Sequence, residues 1–245
     1  MTRGKQVSDM SRAKYKRILL KLSGEALAGD KGFGIDPNTV SSIVESIGTI
    51  YRLGVQTAIV VGAGNFWRGR DGKGMDRSTA DHMGMLGTVI NSLALQDAIE
   101  KHGIPTRVMT AIPMDRIAEP YIKRKAVTHL ENNEIVIFAC GTGNPFFSTD
   151  TAAALRAAEI DADIILFAKN IDGIYSADPK KDPDAIKYET ISYHEVLMKK
   201  LAAIDLTATS LCLDNEIPSL LFALEEPSNI VDAVMGKSTG TFIEK

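Results

Sequence analysis

The chain has 245 residues, of which 44% are hydrophobic and 24% are charged. That length allows one sizeable α/β domain with a full hydrophobic core, and the composition excludes a disordered or a fibrous protein. The formal net charge of -3 excludes a general nucleic-acid-binding protein, because such proteins need a basic surface to displace counterions.

The chain opens with a basic stretch at 1–14 that lacks the apolar centre of a secretory signal, and no later segment approaches the ~18 consecutive apolar residues of a membrane helix. Cys140 and Cys212 lie in apolar stretches, which favours reduced thiols over a structural disulfide. We therefore expect a cytoplasmic protein that acts neither on a membrane nor on nucleic acid. Its expected organisation is a disordered basic tail at 1–14 and a single domain at 15–245.

Strand and helix patterns alternate through the first half of that domain. They predict a strand at Arg17–Leu22, a helix from Pro37 to about Gly54, a strand at Thr57–Val61, a helix from Thr79 to about His102 and a strand at Thr106–Thr110. Asp36 and Pro37 supply an N-cap and a first helical residue, and Ser78 is the expected N-cap of the long helix.

The second half continues the alternation. Strands are predicted at Ile135–Ala139, Ile164–Phe167, Ser219–Phe222 and Thr241–Ile243, and helices at Thr149–Ile160, His194–Leu201, Asp205–Asn215 and Asn229–Met235. The strands are apolar throughout, which indicates burial on both faces. The pattern therefore predicts an α/β fold, a three-layer α/β/α sandwich with a mostly parallel central sheet. Ligands of such sheets bind at the carboxyl ends of the strands.

Two glycine-containing loops follow the first two strands. Lys21 ends the first strand, where a lysine is costly unless its ammonium group reaches into a site or extends to solvent, and Ser23-Gly24 follows it. Gly62-Ala63-Gly64 ends the second strand, and Arg68 adds a guanidinium suited to phosphate oxygens. The loop after the second strand does not match GxGxxG, so a dinucleotide fold is not indicated, and the chain lacks GxxxxGK[ST], which excludes a P-loop kinase.

Two further loops carry polar and aromatic side chains. The segment Gly141–Asp150 joins hydroxyl, amide and aromatic groups to a helix N-terminus, where anions are favoured, although Asp150 is equally an ordinary N-terminal helix charge. The segment Lys169–Pro179 offers an aromatic, an amide and carboxylates that suit an adenine and a ribose, but its Asp-Gly and Asp-Pro pairs are also common turn signals.

In this order the loops resemble the amino-acid-kinase superfamily and, within it, the bacterial-type uridylate (UMP) kinases. The matching segments are KLSGEAL at Lys21–Leu27, GFGID at Gly32–Asp36, GAGNFWRG at Gly62–Gly69, DHMGMLGTVIN at Asp81–Asn91, TGNPFFSTD at Thr142–Asp150 and DGIYSADPKKDP at Asp172–Pro183. The resemblance covers nearly all of the chain from Tyr15 onward. It implies transfer of the γ-phosphoryl group of ATP to UMP, giving UDP and ADP in pyrimidine nucleotide biosynthesis, with Mg²⁺ on the ATP phosphates and no protein metal ligand.

The resemblance also implies roles for individual residues, with UMP on the N-terminal part and ATP on the C-terminal part. Catalysis would involve Lys21, Arg68 and Asp150, the last orienting Lys21. The implied ATP contacts are Lys21, Leu22, Ser23, Gly24, Gly64, Arg68, Lys169, Asn170, Tyr175 and Asp178. The implied UMP contacts are Ala63, Asp81, Thr142, Gly143, Asn144, Pro145, Phe146, Phe147, Ser148 and Thr149. An effector segment is implied at Gly29, Asp30, Lys31, Gly32, Phe33 and Gly34, with GTP as effector and UTP as a product-like inhibitor.

Some alternatives stay open. Ala63 stands where the family often has a third glycine, and the alignment at Lys169 and Asn170 allows a shift of one residue. A kinase of the same superfamily acting on an amino acid or carbamate, or a nucleotide sensor without turnover, would share several of these motifs.

The resemblance implies a homo-oligomer, a hexamer. The helix at Asp81–Glu100 is apolar on more than one face, which favours a second burial partner over a core helix in a monomer.

Overall fold

One sheet of nine strands organises the residues that the computed structural model describes, which are 13–68, 72, 74–179 and 181–245. The strands are β1 (Arg17–Leu22), β2 (Gln56–Val61), β3 (Thr106–Thr110), β4 (Glu119–Pro120), β5 (Ile135–Ala139), β6 (Ile164–Lys169), β7 (Thr190–Ser192), β8 (Ser219–Ala223) and β9 (Gly240–Glu244). Their order is β4-β3-β5-β2-β1-β6-β8-β9-β7, and every neighbouring pair is parallel except β8 and β9. The predicted mostly parallel sheet is confirmed.

Helices cover both faces of the sheet. They are α1 (Pro37–Arg52), α2 (Arg77–Glu100), α3 (Lys123–Glu131), α4 (Thr149–Glu159), α5 (Tyr193–Met198), α6 (Leu206–Asp214) and α7 (Ser228–Val234), and a 3₁₀ helix spans Gly24–Lys31. Apolar residues of α1, α2 and α7 pack in one core layer, and those of α3, α4, α5 and α6 pack in the other. This arrangement is the predicted three-layer sandwich.

The alternation of side chains in β1 decides where its lysine points. Leu20 and Leu22 pack in the layer that contains α1 and α2, whereas Leu19 packs in the layer that contains α4. Because successive side chains of a strand point to opposite faces, Lys21 shares the face of Leu19 and lies beneath the start of α4. In the sheet, β1 lies between β2, to which the chain continues directly, and β6, which comes later in the chain. The strand order therefore reverses beside β1, which borders the topological switch point.

Several elements differ from the prediction. The N-cap of α2 is Asp76, whose carboxylate accepts the Thr79 backbone N–H at 2.9 Å, so the predicted cap at Ser78 is wrong. The sequence patterns missed α3, β4, β7 and the 3₁₀ helix. β4 and β7 are only two and three residues long, and α3 buries only Ala126 and Leu130, so none of them has an apolar run long enough to predict.

The predicted N-terminal tail falls mostly on residues 1–12, which lie outside the described residues. The last two residues of that prediction contact the domain. Ala13 packs against the core, and the Lys14 backbone N–H donates to the Val234 carbonyl at 3.0 Å. None of the helices in the described part of the chain combines the length and apolar character needed to cross a membrane.

Candidate active site

The floor of the site is formed by two glycine loops in direct main-chain contact. A Cβ atom on Gly24 would lie 2.5 Å from the Gly62 carbonyl oxygen and 2.7 Å from the Gly64 nitrogen, so only glycine fits there. The Gly62 backbone N–H donates to the Leu22 carbonyl at 3.0 Å. The loops after β1 and β2 are therefore held together as one surface.

Ala63 fits this floor because α2 carries a glycine opposite it. A Cβ atom on Gly87 would lie 2.9 Å from the Cβ of Ala63, which is closer than two such atoms approach. Ala63 is buried, and Gly87 belongs to the buried face of α2. The methyl group of Ala63 thus occupies space that the absent side chain of Gly87 leaves free.

A cavity of about 820 Å³ lies above this floor, within the size range of ligand sites. The loops after β1, β2, β5 and β6 line it, together with the first turns of α2 and the segment before α6. Most of the predicted site residues line this cavity. They are Lys21, Ser23, Gly24, Ala63, Gly64, Arg68, Asp81, Thr142, Asn144, Phe146, Phe147, Ser148, Thr149, Asp150, Lys169 and Asn170.

The other predicted contacts lie elsewhere among the described residues. The cavity lining does not include Leu22, Gly143, Pro145, Tyr175 or Asp178. The Tyr175 hydroxyl donates to the Asp172 carboxylate at 3.0 Å, in the loop after β6. The predicted effector segment Gly29–Gly34 lies beside a second cavity of about 480 Å³, which Gly32 and Phe33 line.

Two lysines and one carboxylate form the charged centre of the main cavity. Lys21 Nζ lies 2.8 Å from Asp150 Oδ1, and Lys169 Nζ lies 2.5 Å from Asp150 Oδ2 and donates to the Ala203 carbonyl at 2.5 Å. The contact of Oδ1 with Lys21 is ionic rather than a well-aligned hydrogen bond. The trio carries a net charge of +1, which favours the binding of a phosphate group.

The environment of Asp150 keeps its carboxylate ionised. Burial alone would raise the pKa of Asp150, but the ammonium groups of Lys21 and Lys169 lower it to about 2. Asp150 also lies in the first turn of α4, where the helix dipole favours an anion. Burial lowers the pKa of Lys169, an effect that Asp150 opposes and Lys21 reinforces. Asp150 therefore holds both lysines in the cavity.

Asp81 connects α2 to the loop after β5. Its carboxylate accepts Arg77 Nε at 3.0 and 2.9 Å and the Phe146 backbone N–H at 2.8 Å. Phe146 has a φ of 72°, a conformation that L-residues rarely adopt, and its ring lies 5.6 Å from the Arg77 guanidinium carbon. Asp81 thus fixes the loop that bears the two exposed rings of Phe146 and Phe147.

Asp205 is a site residue that the sequence analysis did not identify. Its carboxylate accepts the hydroxyl of Ser148, accepts Thr151 Oγ1 at 3.0 Å, and caps α6 by accepting the Ala208 N–H at 2.9 Å. The Ser148 hydroxyl in turn caps α4. The only sequence signal was a helix predicted to begin at Asp205, which indicates a cap and not a place in the cavity.

Glu25, Trp67 and Arg77 also line the cavity without having been predicted. The Trp67 indole N–H donates to the Ala80 carbonyl at 2.9 Å and ties the loop after β2 to α2. Glu25 forms an ion pair with Arg68. Charge alone did not separate Glu25 and Arg77 from the many other charged residues of the chain, and no pattern gave a role to Trp67, the one tryptophan in the sequence.

Comparisons with known proteins place these features in a family. The Amino acid kinase family matches residues 16–222. The chain is similar to the solved UMP kinase from Bacillus anthracis, with 40% identity, a TM-score of 0.90, and coverage of 94% of this chain and 96% of that one. It is similar to the UMP kinase from Ureaplasma parvum, with 39% identity, a TM-score of 0.89 and coverage of 94% and 99%. The uridylate kinase from Archaeoglobus fulgidus is 27% identical, with a TM-score of 0.72 and coverage of 92% and 99%. From its sequence match and its fold, the chain belongs to the amino acid kinase family.

Proposed function

We propose that the protein transfers the γ-phosphoryl group of ATP to UMP, giving UDP and ADP. The observation that carries this proposal is the Lys21–Asp150–Lys169 centre, which lies between two groups of loops in one cavity. The names of the similar solved structures, UMP kinases at 39% and 40% identity, support the same reaction.

The proposed arrangement assigns one nucleotide to each group of loops. ATP lies against the loops after β1 and β6, with Lys21, Ser23 and Gly24 at its phosphates and Lys169 and Asn170 beside them. UMP lies against Ala63, Asp81 and the Thr142–Thr149 loop. Gly64 and Arg68 lie where the two phosphate chains meet. A loop that follows β1 and a loop that follows β5 both open into the cavity, which is consistent with this division.

The proposed mechanism needs positioning and charge neutralisation more than proton transfer. The UMP phosphate oxygen is already a nucleophile, so no strong general base is required. Lys21, Arg68 and the N-terminus of α4 neutralise charge on the transferring group. Asp150 acts by orienting Lys21 and Lys169, since its carboxylate is engaged with both ammonium groups.

Mg²⁺ would bind mainly to the ATP phosphates in this proposal. The carboxylates of Asp150 and Asp205 are already engaged by lysine and hydroxyl groups. Within the described ranges of the chain, no group of three or more His, Cys, Asp or Glu residues is arranged to hold a metal ion. The donor set therefore fits an ion with few protein ligands, which would neutralise charge on the phosphates.

UMP is expected to be preferred over CMP by up to ~10⁴ in kcat/KM, because a site that hydrogen-bonds one base edge leaves polar groups unpaired with another. Thr142 and Asn144 supply hydroxyl and amide groups, and the Asn144 N–H donates to Thr142 Oγ1 at 3.2 Å. A coupled assay of ADP release with UMP, CMP, dCMP, dTMP, AMP, aspartate and acetylglutamate measures the preference and tests the proposed function.

A substitution sharpens that assay. Thr142→Val should narrow the ratio of UMP to CMP turnover, whereas Thr128→Val, on the exposed surface of α3, should leave it unchanged. Equal turnover of UMP and CMP by the parent would contradict the base preference. Turnover of aspartate or acetylglutamate alone would contradict UMP as the acceptor, and no turnover with any acceptor would favour a sensor.

We also propose that a purine nucleotide, GTP, regulates the enzyme through the segment Gly29–Gly34, with UTP inhibiting as a product-like ligand. The support is the position of this segment. Phe33 is 68% exposed and packs edge-to-face with Phe66 at 5.7 Å, and the Asn65 side-chain amide donates to the Gly34 carbonyl at 2.7 Å. Asn65 lies in the loop after β2, so the segment touches the phosphate loop. Velocity curves for ATP and UMP that GTP and UTP leave unchanged would rule this out.

The protein is further proposed to form a homo-oligomer, a hexamer. Met83, Leu86 and Ile90 lie on one face of α2 and are 37%, 51% and 50% exposed. An apolar stripe of this kind is stabilised by a partner. We expect Leu86→Glu to weaken the assembly, and light scattering on the parent should give a multiple of 26.5 kDa. A parent particle of one chain mass would contradict the proposal.

The reaction is assigned to pyrimidine nucleotide biosynthesis in the cytoplasm. Cys140 and Cys212 are buried free thiols, which suits a reducing compartment. Burial raises the pKa of both thiols, that of Cys212 to about 12, so neither is a reactive nucleophile.

A further inference from the structure

Glu25 places a carboxylate in a cavity whose other charges at the centre are mainly positive. It follows Gly24, which packs against the main chain of Gly62 and Gly64. A Cβ atom on Gly64 would lie 3.1 Å from Glu25 Cγ and 3.3 Å from Arg68 Nε. The side chains of Glu25 and Arg68 therefore share the space that a side chain at position 64 would fill.

The two carboxylate oxygens of Glu25 have different partners. Oε1 forms an ion pair with the Arg68 guanidinium group, and Oε2 accepts Asn170 Nδ2 at 3.2 Å. Arg68 follows β2 and Asn170 follows β6, so Glu25 connects three loops. The side chains of Arg68 and Glu25 are 33% and 36% exposed, which leaves the pair accessible from the cavity.

A carboxylate at this position has an electrostatic cost. Both proposed substrates carry phosphate groups, and a negative charge on the cavity wall weakens their binding. Glu25 also competes with phosphate for Arg68. A cavity that served only to bind the unreacted substrates tightly would not place the Glu25 carboxylate here. The structure therefore favours a role for Glu25 in positioning Arg68.

We infer that Glu25 is a positioning residue, which holds the Arg68 guanidinium at the junction of the two halves of the cavity and limits its binding to ground-state phosphate. Arg68 then contributes more as charge develops on the transferring group than it does to substrate affinity. This inference rests on the proposed function and adds a residue to its site.

Glu25→Gln tests the inference because it keeps the size of the side chain and a hydrogen-bond acceptor for Asn170 but removes the charge. We expect the KM for UMP to fall about twofold to fivefold, because Arg68 is released to phosphate, and kcat to fall about tenfold, because Arg68 is less well placed. A purely structural role would lower the melting temperature without tightening UMP binding. Glu45→Gln, at an exposed position of α1, is the matched control.

A double variant decides whether Glu25 acts through Arg68. In an Arg68→Met background, Glu25→Gln should leave kcat unchanged and should lower the KM for UMP by less than it does in the parent, because the part of the effect that acts through Arg68 is lost. An undiminished effect in that background would overturn the inference, and so would an unchanged or raised KM for UMP in the single variant.

A binding experiment tests the role of Glu25 independently of the proposed function. If the parent does not turn over UMP, the proposed function fails, but calorimetry with inorganic pyrophosphate still reports on Arg68. Glu25→Gln should bind pyrophosphate more tightly than the parent, and the gain should be smaller in the Arg68→Met background. Equal pyrophosphate affinity of parent and Glu25→Gln would overturn the inference by itself.

Discussion

Lys21→Ala is expected to lower kcat by ~10²–10³ while changing the KM for UMP little, because loss of one charge contact to the transition state has about that effect. Only contacts that are stronger in the transition state than in the ground state accelerate the chemical step. Lys21 is 7% exposed, and its ammonium group is held by Asp150 in the cavity, so in the proposed reaction it needs no rearrangement to meet the transferring phosphoryl group. Steady-state kinetics with ATP and UMP measure both parameters.

Two controls distinguish a catalytic defect of Lys21→Ala from misfolding. Melting temperatures of the variant and the parent show whether the fold survives, and Lys237→Ala, which removes an exposed lysine paired with Asp232, should leave kcat unchanged. Arg68→Ala should differ from Lys21→Ala by raising the KM for UMP as well, because in the proposed arrangement Arg68 keeps some contact with ground-state phosphate despite its pairing with Glu25. A folded Lys21→Ala protein with parental kcat would remove Lys21 from the mechanism.

Asp150→Asn is expected to destabilise the protein by roughly 3–5 kcal/mol, because removal of one partner of a buried ion pair leaves uncompensated charge. Here two ammonium groups, Lys21 and Lys169, would lose the carboxylate between them. For a chain of this size the loss corresponds to a fall in melting temperature of about 6–20 °C. We also expect kcat to fall, since both lysines lose their fixed positions.

Adding Lys169→Met to Asp150→Asn should recover part of the lost stability without restoring kcat, because it removes the repulsion between the lysines but not the need for an orienting carboxylate.

The pH dependence of the protein's stability reflects the same interaction of Asp150 with the two lysines. The pKa of Asp150 is lowered from 3.8 to about 2 on folding, so its contribution is complete above pH 3.8 and is lost as the pH falls toward 2. Asp150→Asn should lack that part of the acid transition. An unchanged melting temperature for Asp150→Asn would contradict this account.

The strands that build the site were predictable because each is a short apolar run closed by glycine or a polar residue. β1, β2, β5 and β6 were placed correctly to within two residues, and their parallel pairing follows from burial on both faces. The N-cap of α2 was not predictable in the same way. Asp76 and Ser78 are both good caps two residues apart, and only the backbone geometry selects between them.

The site was predicted in part, and the missing residues share a physical feature. The resemblance supplied Lys21, Asp150 and Lys169 as site residues and Asp150 as the residue that orients Lys21, but it did not supply the ion pair between Lys169 and Asp150. Glu25 and Asn170 are 145 residues apart, and Ser148 and Asp205 are 57 apart. Such contacts depend on which strands are neighbours in the sheet, and no local pattern in one sequence records that order.

The packing of Ala63 against Gly87 has a consequence for the evolutionary history of the site. The loop and α2 together hold one methyl group, because a second at Gly87 would lie 2.9 Å from the first. A lineage that moves this methyl group from the loop to the helix must first replace Ala63 by glycine, since the opposite order passes through an overpacked intermediate. The two positions are thus epistatic, and the alanine in the loop after β2 is permitted by a glycine in α2, 24 positions later in the sequence.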